Sequence, residues 1–235
     1  MPISRERCTT DTTKTLAIPK PTDKPTNNRI AVLAVVCAFT AVKNCSFVLI
    51  LFGEKPNQYL AEKTPLLHKG KALSIADGEG RNSVWLASQG FVVDAFDFSP
   101  VAIEKAKKLA VKHQVSVNFK CSDWQSFDWK ANHYYTIAGI FFQFADPESR
   151  TELFEKLNHA LKPGGTLIIQ GYGKAQMQYN TGGPGILENL YDEELLLNSF
   201  KGYKVIDLQT YLQDVDEGPG HSGMSSLVGF IGQKP

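Results

Sequence analysis

From Lys71 onward the chain alternates between short apolar runs and amphipathic stretches, and each change of period marks an element. Ala72–Ala76 is apolar and ends in the turn Asp77-Gly78-Glu79-Gly80; Asn82–Gln89 follows with helical spacing and stops at Gly90. Phe91–Phe96 reads as a second strand that delivers Asp97 at its end. Ser99-Pro100 starts the next helix, with proline at its first position, and apolar residues recur at helical spacing from Ile103 to Val111. Val115–Lys120 alternates as a third strand, and Tyr135–Phe142 is apolar throughout as a fourth. Pro147–Leu161 is an amphipathic helix stopped by Lys162-Pro163-Gly164-Gly165. Thr166–Gly171, Tyr203–Leu212 and Ser225–Ile231 complete seven strands, with Glu188–Asn198 helical before the last two. The pattern predicts an α/β protein with helices between the first five strands. The closing strands leave no room for a crossover helix, which gives a doubly wound seven-stranded sheet with an antiparallel edge strand.

The first turn and the first acid belong together. Glycines there let a ligand reach the backbone, and an acid about 20 residues later can bind both hydroxyls of a ribose. Lys71–Pro100 therefore reads as an adenosine-binding half. A nicotinamide or flavin dinucleotide would set its pyrophosphate on this turn, where a helix start favours negative charge from the ligand. Here the turn already holds Asp77 and Glu79. Like charges at about 4 Å repel by roughly 1 kcal/mol even in water. S-adenosylmethionine has no phosphate; it carries a sulfonium, an ammonium and one carboxylate. It is the predicted cofactor, with Ala76, Asp77, Gly78, Gly80, Arg81, Asp97 and Phe98 as binding candidates in this stretch. The alternatives are an NAD(P)-dependent oxidoreductase on the same fold and a non-catalytic S-adenosylmethionine-binding protein.

Further motifs lie along the chain: Phe52-Gly53 with Pro56-Asn57, Gly78-Glu79-Gly80-Arg81-Asn82, Asp97-Phe98-Ser99 and Leu161-Lys162-Pro163-Gly164-Gly165. Gly171-Tyr172, Thr181-Gly182-Gly183-Pro184, and Glu217 with His221-Ser222-Gly223 follow. Together they resemble the class I S-adenosylmethionine-dependent methyltransferases, with a Rossmann-like sheet, and within them the tellurite-resistance and thiopurine-methyltransferase-like branch. The resemblance implies methyl transfer to a small molecule, above all to a sulfur, selenium or tellurium nucleophile. Such a group attacks as an anion near neutral pH, and in-line displacement depends chiefly on positioning. Two places depart from the pattern. Ser74 and Ala76 stand where the class puts an acid and a glycine, with Asp77 placed to compensate. Phe141-Phe142-Gln143-Phe144 has neither the histidine that relatives often carry nor an N-P-P-Y type signature.

The resemblance also implies roles. Ser122, Asp123 and Trp124, after the third strand, would meet the adenine with a polar group on its amino nitrogen and an apolar one on its face. The catalytic candidates are His221, for substrate contact or proton transfer, and Tyr172, at a strand end where open sheets bind ligands. Tyr179, Thr181, Gly182 and Gly183 belong to a glycine-rich stretch, Tyr179–Pro184, read as a lid over the acceptor. Arg81 offers a fork of donors for a carboxylate, and Glu217 either orients His221 or is solvated. The ordinary alternatives are a surface arginine, a packed tyrosine, a loop histidine and, for Asp123, a turn acid.

The chain has 235 residues, 43% hydrophobic and 21% charged, the composition of one globular domain plus an extension. A net charge of +1 argues against a nucleic-acid footprint. Cys8, Cys37, Cys45 and Cys121 show no metal-ligand spacing and no disulfide framework, which suits a reducing, cytoplasmic compartment and predicts no metal. Residues 1–29, rich in Thr, Lys and Pro, read as a disordered leader. Residues 30–52 are hydrophobic but interrupted by Lys43-Asn44. A membrane tether, a packed helix and a targeting leader all stay open for them. The methyltransferase domain is placed at 53–235.

Overall fold

In the computed structural model, which describes residues 53–179, 181–217 and 222–235, seven strands build one sheet. They are β1 (Lys71–Ile75), β2 (Val92–Asp97), β3 (Val117–Cys121), β4 (Tyr134–Ile140), β5 (Leu161–Tyr172), β6 (Lys204–Asp216) and β7 (Ser222–Gln233), in the order β3-β2-β1-β4-β5-β7-β6. The first five pair in parallel, and β7 runs antiparallel to both β5 and β6. The expected antiparallel strand is therefore β7, with β6 outside it. The predicted leader (1–29), the hydrophobic segment (30–52) and His221 lie outside the described residues. Among the described residues no helix is long and apolar enough to cross a membrane.

The strands read as apolar runs because the middle of the sheet is covered on both faces. Leu73, Ile137, Leu167, Ile168 and Ile169 are all fully buried. The chain order reverses between β1 and β4, which opens a crevice beyond their carboxyl ends. Helices α1 (Gln58–Lys63), α2 (Arg81–Ser88), α3 (Pro100–Lys112), α4 (Pro147–Ala160) and α5 (Glu193–Ser199) pack around the sheet. Four of the five starts are set by N-cap side chains: Asn57, Ser99, Asp146 and Asp192 each accept a backbone N–H of the first turn. Ile103, Ala106, Leu109 and Ala110 form the buried stripe of α3.

Four expectations change. No helix joins β3 to β4; residues 122–133 are turns. Aromatic bulk fills the space instead, with Phe96 stacked on Phe127 at 4.3 Å and edge-on to Trp129 at 5.7 Å. Glu188–Asn198 is not one helix: a 3-10 turn at Leu187–Asn189 is followed by buried Leu190 and Tyr191, and α5 begins only after the Asp192 cap. The helix stops as expected, one residue early at Ala160, but Lys162-Pro163-Gly164-Gly165 already belongs to a strand, since Leu161 is extended and pairs with Tyr134. The motif is an irregularity inside β5. A 3-10 helix at Lys174–Gln178 and α1 itself were not expected, being too short to show a period.

Candidate cofactor and acceptor site

Asp97 ends β2 with its carboxylate held by two backbone donors. Oδ2 accepts from the Gly78 amide and Oδ1 from the Ser99 amide, both at 2.9 Å. Each oxygen keeps a further lone pair, the arrangement that two ribose hydroxyls require. Burial raises the pKa of the group, opposed by these two amides. At Gly78 (φ +59) an added Cβ would meet nothing within 4 Å, so the backbone is open on that side. Gly80 serves differently: a Cβ there would fall 2.6 Å from Ala106 Cβ, and its absence lets α2 approach α3. Phe98 follows Asp97 and is 49% exposed, while the Ser122 amide donates to the Asp97 carbonyl at 3.0 Å. These residues fit a ligand with a ribose diol and a flat apolar base.

The two turn acids do not face a ligand as bare charges. Asp77 is buried and accepts from Ser74 Oγ (2.6 Å), Ser83 N (3.2 Å) and Ser83 Oγ (2.5 Å), which caps the first turn of α2. Ser74, standing where the class has an acid, is thus the partner of the acid three residues on. Burial carries the Asp77 pKa to about 6 despite those hydrogen bonds. Glu79 is paired with Lys105 at 2.5 Å. Neither acid therefore opposes a pyrophosphate as a bare charge. Ala76 takes a left-handed backbone (φ 47), a conformation that costs an L-residue roughly 1–2 kcal/mol.

The adenine-side candidates separate. Ser122 lies beside Asp97, whereas exposed Asp123 accepts from the Ser126 amide at 2.7 Å, the ordinary role of a turn acid. Its pKa is lowered by that bond. Trp124 is 9% exposed and belongs to the aromatic core, its carbonyl accepting from Trp129 Nε1 at 2.7 Å.

On the other side of the crevice, Arg81 Nη2 donates to Glu217 Oε2 at 2.6 Å, with side chains 7% and 10% exposed. The fork expected to hold a ligand carboxylate is engaged with a protein carboxylate. Glu217 Oε1 also accepts from Asn57 Nδ2 at 2.8 Å. Asn57 reaches Gln170 Oε1 at 2.6 Å, and Gln170 Nε2 donates to the Tyr211 hydroxyl at 2.6 Å. None of Asn57, Gln170 or Tyr211 was singled out by its chemistry in the sequence. The available signals were the Pro56-Asn57 motif and a glutamine inside an apolar strand.

Tyr172 is buried, with its ring centre 4.8 Å from that of Phe141. Burial pushes its phenol up to about 12, the Glu217 carboxylate adding and Arg81 opposing. The glycine-rich stretch lies against it: a Cβ on Gly183 would sit 3.2 Å from the Tyr172 ring. Thr181 Oγ1 donates to the Met224 carbonyl at 2.7 Å, and Gln176 Nε2 donates to Thr181 Oγ1 (3.0 Å) and the Gly182 carbonyl (3.2 Å). The structure thus brings Tyr172 together with Thr181, Gly182 and Gly183. Tyr179 closes the preceding 3-10 helix, half-buried.

Residues 72–165 match the family model of a methyltransferase domain. The chain is 22% identical over 196 residues to the carboxy-S-adenosyl-L-methionine synthase of Enterobacter sp. (strain 638), covering 81% of this chain and 77% of that one. Among solved structures, one concerns conversion of a disulfide bond into a thioacetal group during echinomycin biosynthesis. It superposes with a TM-score of 0.66 at 15% identity, covering 79% of this chain and 84% of the other. TehB from Haemophilus influenzae gives 0.61 at 15% identity, over 76% of this chain and 62% of TehB. At such identities the structures establish the fold. The match over residues 72–165 shows a methyltransferase domain there, and S-adenosylmethionine is the cofactor that this family implies.

Proposed function

We propose that this S-adenosylmethionine-dependent methyltransferase methylates a small molecule on a sulfur, selenium or tellurium atom that attacks as an anion. When bound, the cofactor supplies an electrophilic methyl on a sulfonium. In this reading Asp97 holds the ribose, the open backbone at Gly78 lets the cofactor close on the turn, and Phe98 and Ser122 flank the base. Tyr172 and Thr181–Gly183 line the acceptor side, His221 is the second catalytic candidate, and residues 53–235 form the catalytic unit.

The observation that carries the reading is Tyr172. With its phenol pushed up to about 12, it stays protonated at neutral pH and is no base. Phe141 makes the neighbouring wall aromatic, and Arg81 is committed to Glu217. Walls of this kind orient and desolvate, which suits an acceptor that needs no deprotonation at the site. The sequence motifs shared with the tellurite-resistance and thiopurine-methyltransferase-like branch support the same class.

The test is titration calorimetry of the full chain with S-adenosylmethionine, S-adenosylhomocysteine and NADH. Formation of S-adenosylhomocysteine is then followed with thiols, selenite and tellurite against amine and hydroxyl acceptors. Binding of the first two without NADH, and turnover confined to the soft acceptors, is the expected result. Turnover with amines or alcohols alone overturns the choice of acceptor, and binding without any turnover favours a non-catalytic protein.

A further inference from the structure

Beyond β4 the chain makes a tight turn in which Phe141 adopts a left-handed backbone, φ 54, an outlier for a bulky residue. The turn brings Gln143 back toward the end of β5, where it is buried, 5% exposed. Its Oε1 accepts from the Tyr172 amide at 2.5 Å, and its Nε2 donates to the carbonyls of Tyr172 (2.9 Å) and Asn189 (3.1 Å). One side-chain amide thus binds both main-chain groups of Tyr172, the pairing that a longer β4 would supply. Gly171 is shaped for it: a Cβ there would lie 2.6 Å from Gln143 Oε1.

The same place is the neck of a loop. Gly173 bridges to Tyr191, and the Tyr191 amide donates to the Tyr172 carbonyl at 3.0 Å. The segment 173–190, which carries Tyr179 and Thr181–Gly183, therefore leaves and returns at one point. Gln143 joins the two sides of that point, Tyr172 on the outgoing strand and Asn189 on the return. The far end is tied separately, since Gln176 Oε1 accepts from the Ser226 amide at 2.8 Å and Thr181 reaches Met224.

We propose that Gln143 is a positioning residue for methyl transfer, clamping the neck of the 173–190 loop and so setting Tyr172 and Thr181–Gly183 against the acceptor. This rests on the reading of that loop as the acceptor's cover. The geometry needs an acceptor toward one N–H and two donated hydrogens toward two carbonyls, which the primary amide provides in one plane. A carboxylate keeps the first bond and turns lone pairs on both carbonyls. An imidazole has one donor to share between them.

The experiment compares the full-length wild type with Gln143→Glu and Gln143→Met. It reads S-adenosylmethionine affinity by calorimetry, segment-resolved amide hydrogen exchange, and methylation of dithiothreitol at varied concentration. For Gln143→Glu near pH 8, cofactor affinity should stay within about threefold, while exchange in 173–190 rises about tenfold or more and β1 and β2 are unchanged. KM for dithiothreitol should rise about tenfold. A protonated glutamic acid regains one donor, so protection of 173–190 relative to wild type should return as pH falls. Gln143→Met should show no such recovery. Exchange rising evenly through the sheet with affinity falling in step overturns the proposal, as does a loosened loop with unaltered dithiothreitol kinetics. If the wild type ignores dithiothreitol, selenite and tellurite as well, the soft-nucleophile reading fails, and unaltered exchange in 173–190 would still refute the clamp.

Discussion

Replacing Asp77 by Asn should stabilise the protein at neutral pH, and the gain should vanish in acid. Asp77 is buried, and burial outweighs the hydrogen bonds from Ser74 and Ser83 to carry its pKa from 3.8 to about 6. The folded state therefore keeps this proton to a higher pH than the unfolded chain does. Between about pH 4 and pH 6 the folded state binds more protons, so stability falls as pH rises through that window. A shift of about two units at about 1.4 kcal/mol per unit means that the ionised carboxylate costs about 3 kcal/mol at pH 7. Asn keeps the volume. Its carbonyl accepts from Ser74 Oγ and Ser83 N, and its amide donates to Ser83 Oγ, whose own hydrogen turns to the Gly80 carbonyl at 3.1 Å. Reversing that one bond costs about 1 kcal/mol.

The net expectation is a gain of about 2 kcal/mol at pH 7, which for a domain of this size raises Tm by about 4–8 °C. Below about pH 4 the variant should be no more stable than the wild type, because both then bury a neutral group. Thermal and urea unfolding of both proteins at four pH values between 4 and 7 measures this, and the difference between them isolates the one side chain. A variant that is less stable at pH 7 by an amount that does not change with pH would refute the reasoning. It would mean that the hydrogen bonds dominate and that Asp77 titrates as an ordinary carboxylate.

Asp97→Asn should weaken S-adenosylmethionine binding by about 1–3 kcal/mol in calorimetry, and because burial raises the wild-type pKa, affinity should be lost in acid sooner than for an ordinary carboxylate. Ala76→Gly should stabilise the fold by about 1 kcal/mol in urea titration by relieving its left-handed backbone. Arg81→Met or Glu217→Gln alone should cost about 3 kcal/mol of stability, and the double variant clearly less than the sum, as a double-mutant cycle would show. Trp124→Ala should lower unfolding stability by about 3–5 kcal/mol. Phe98→Ala should leave stability within about 0.5 kcal/mol while weakening cofactor binding.

The elements legible in the sequence were those whose signal is local. Ser99-Pro100 and Asp146-Pro147 start helices through their own side chains, and Asp97 was found from its spacing to Gly78. The direction of Asp77 was not legible. Counting charges placed it toward a ligand, whereas its partners Ser74 and Ser83 turn it inward. Trp124 was assigned by its place after a strand, but the missing helix between β3 and β4 leaves a volume that aromatic rings must fill. Asn57 and Gln170 meet across 113 residues of sequence, a contact that no window of periodicity can register.

That contrast has a consequence for how the site is built. The cofactor half is assembled within one βαβ unit, Gly78 and Asp97 lying 19 residues apart. The proposed acceptor half draws on residues far apart in the chain, with Asn57 and Glu217 separated by 160 residues. Asn57 serves both: its amide donates to Asn82 Oδ1 at 2.9 Å, on the cofactor helix, while its side chain holds Glu217 and Gln170. Arg81 repeats the link, following Gly80 directly in α2 and pairing with Glu217 at the end of the β6 segment. In the proposed site, ordering the cofactor turn orders the residues on the acceptor side, because the same buried groups would otherwise lose their partners. By this linkage S-adenosylmethionine should protect the amides around Glu217 and Tyr172 from exchange, although these lie outside the βαβ unit that carries Asp97.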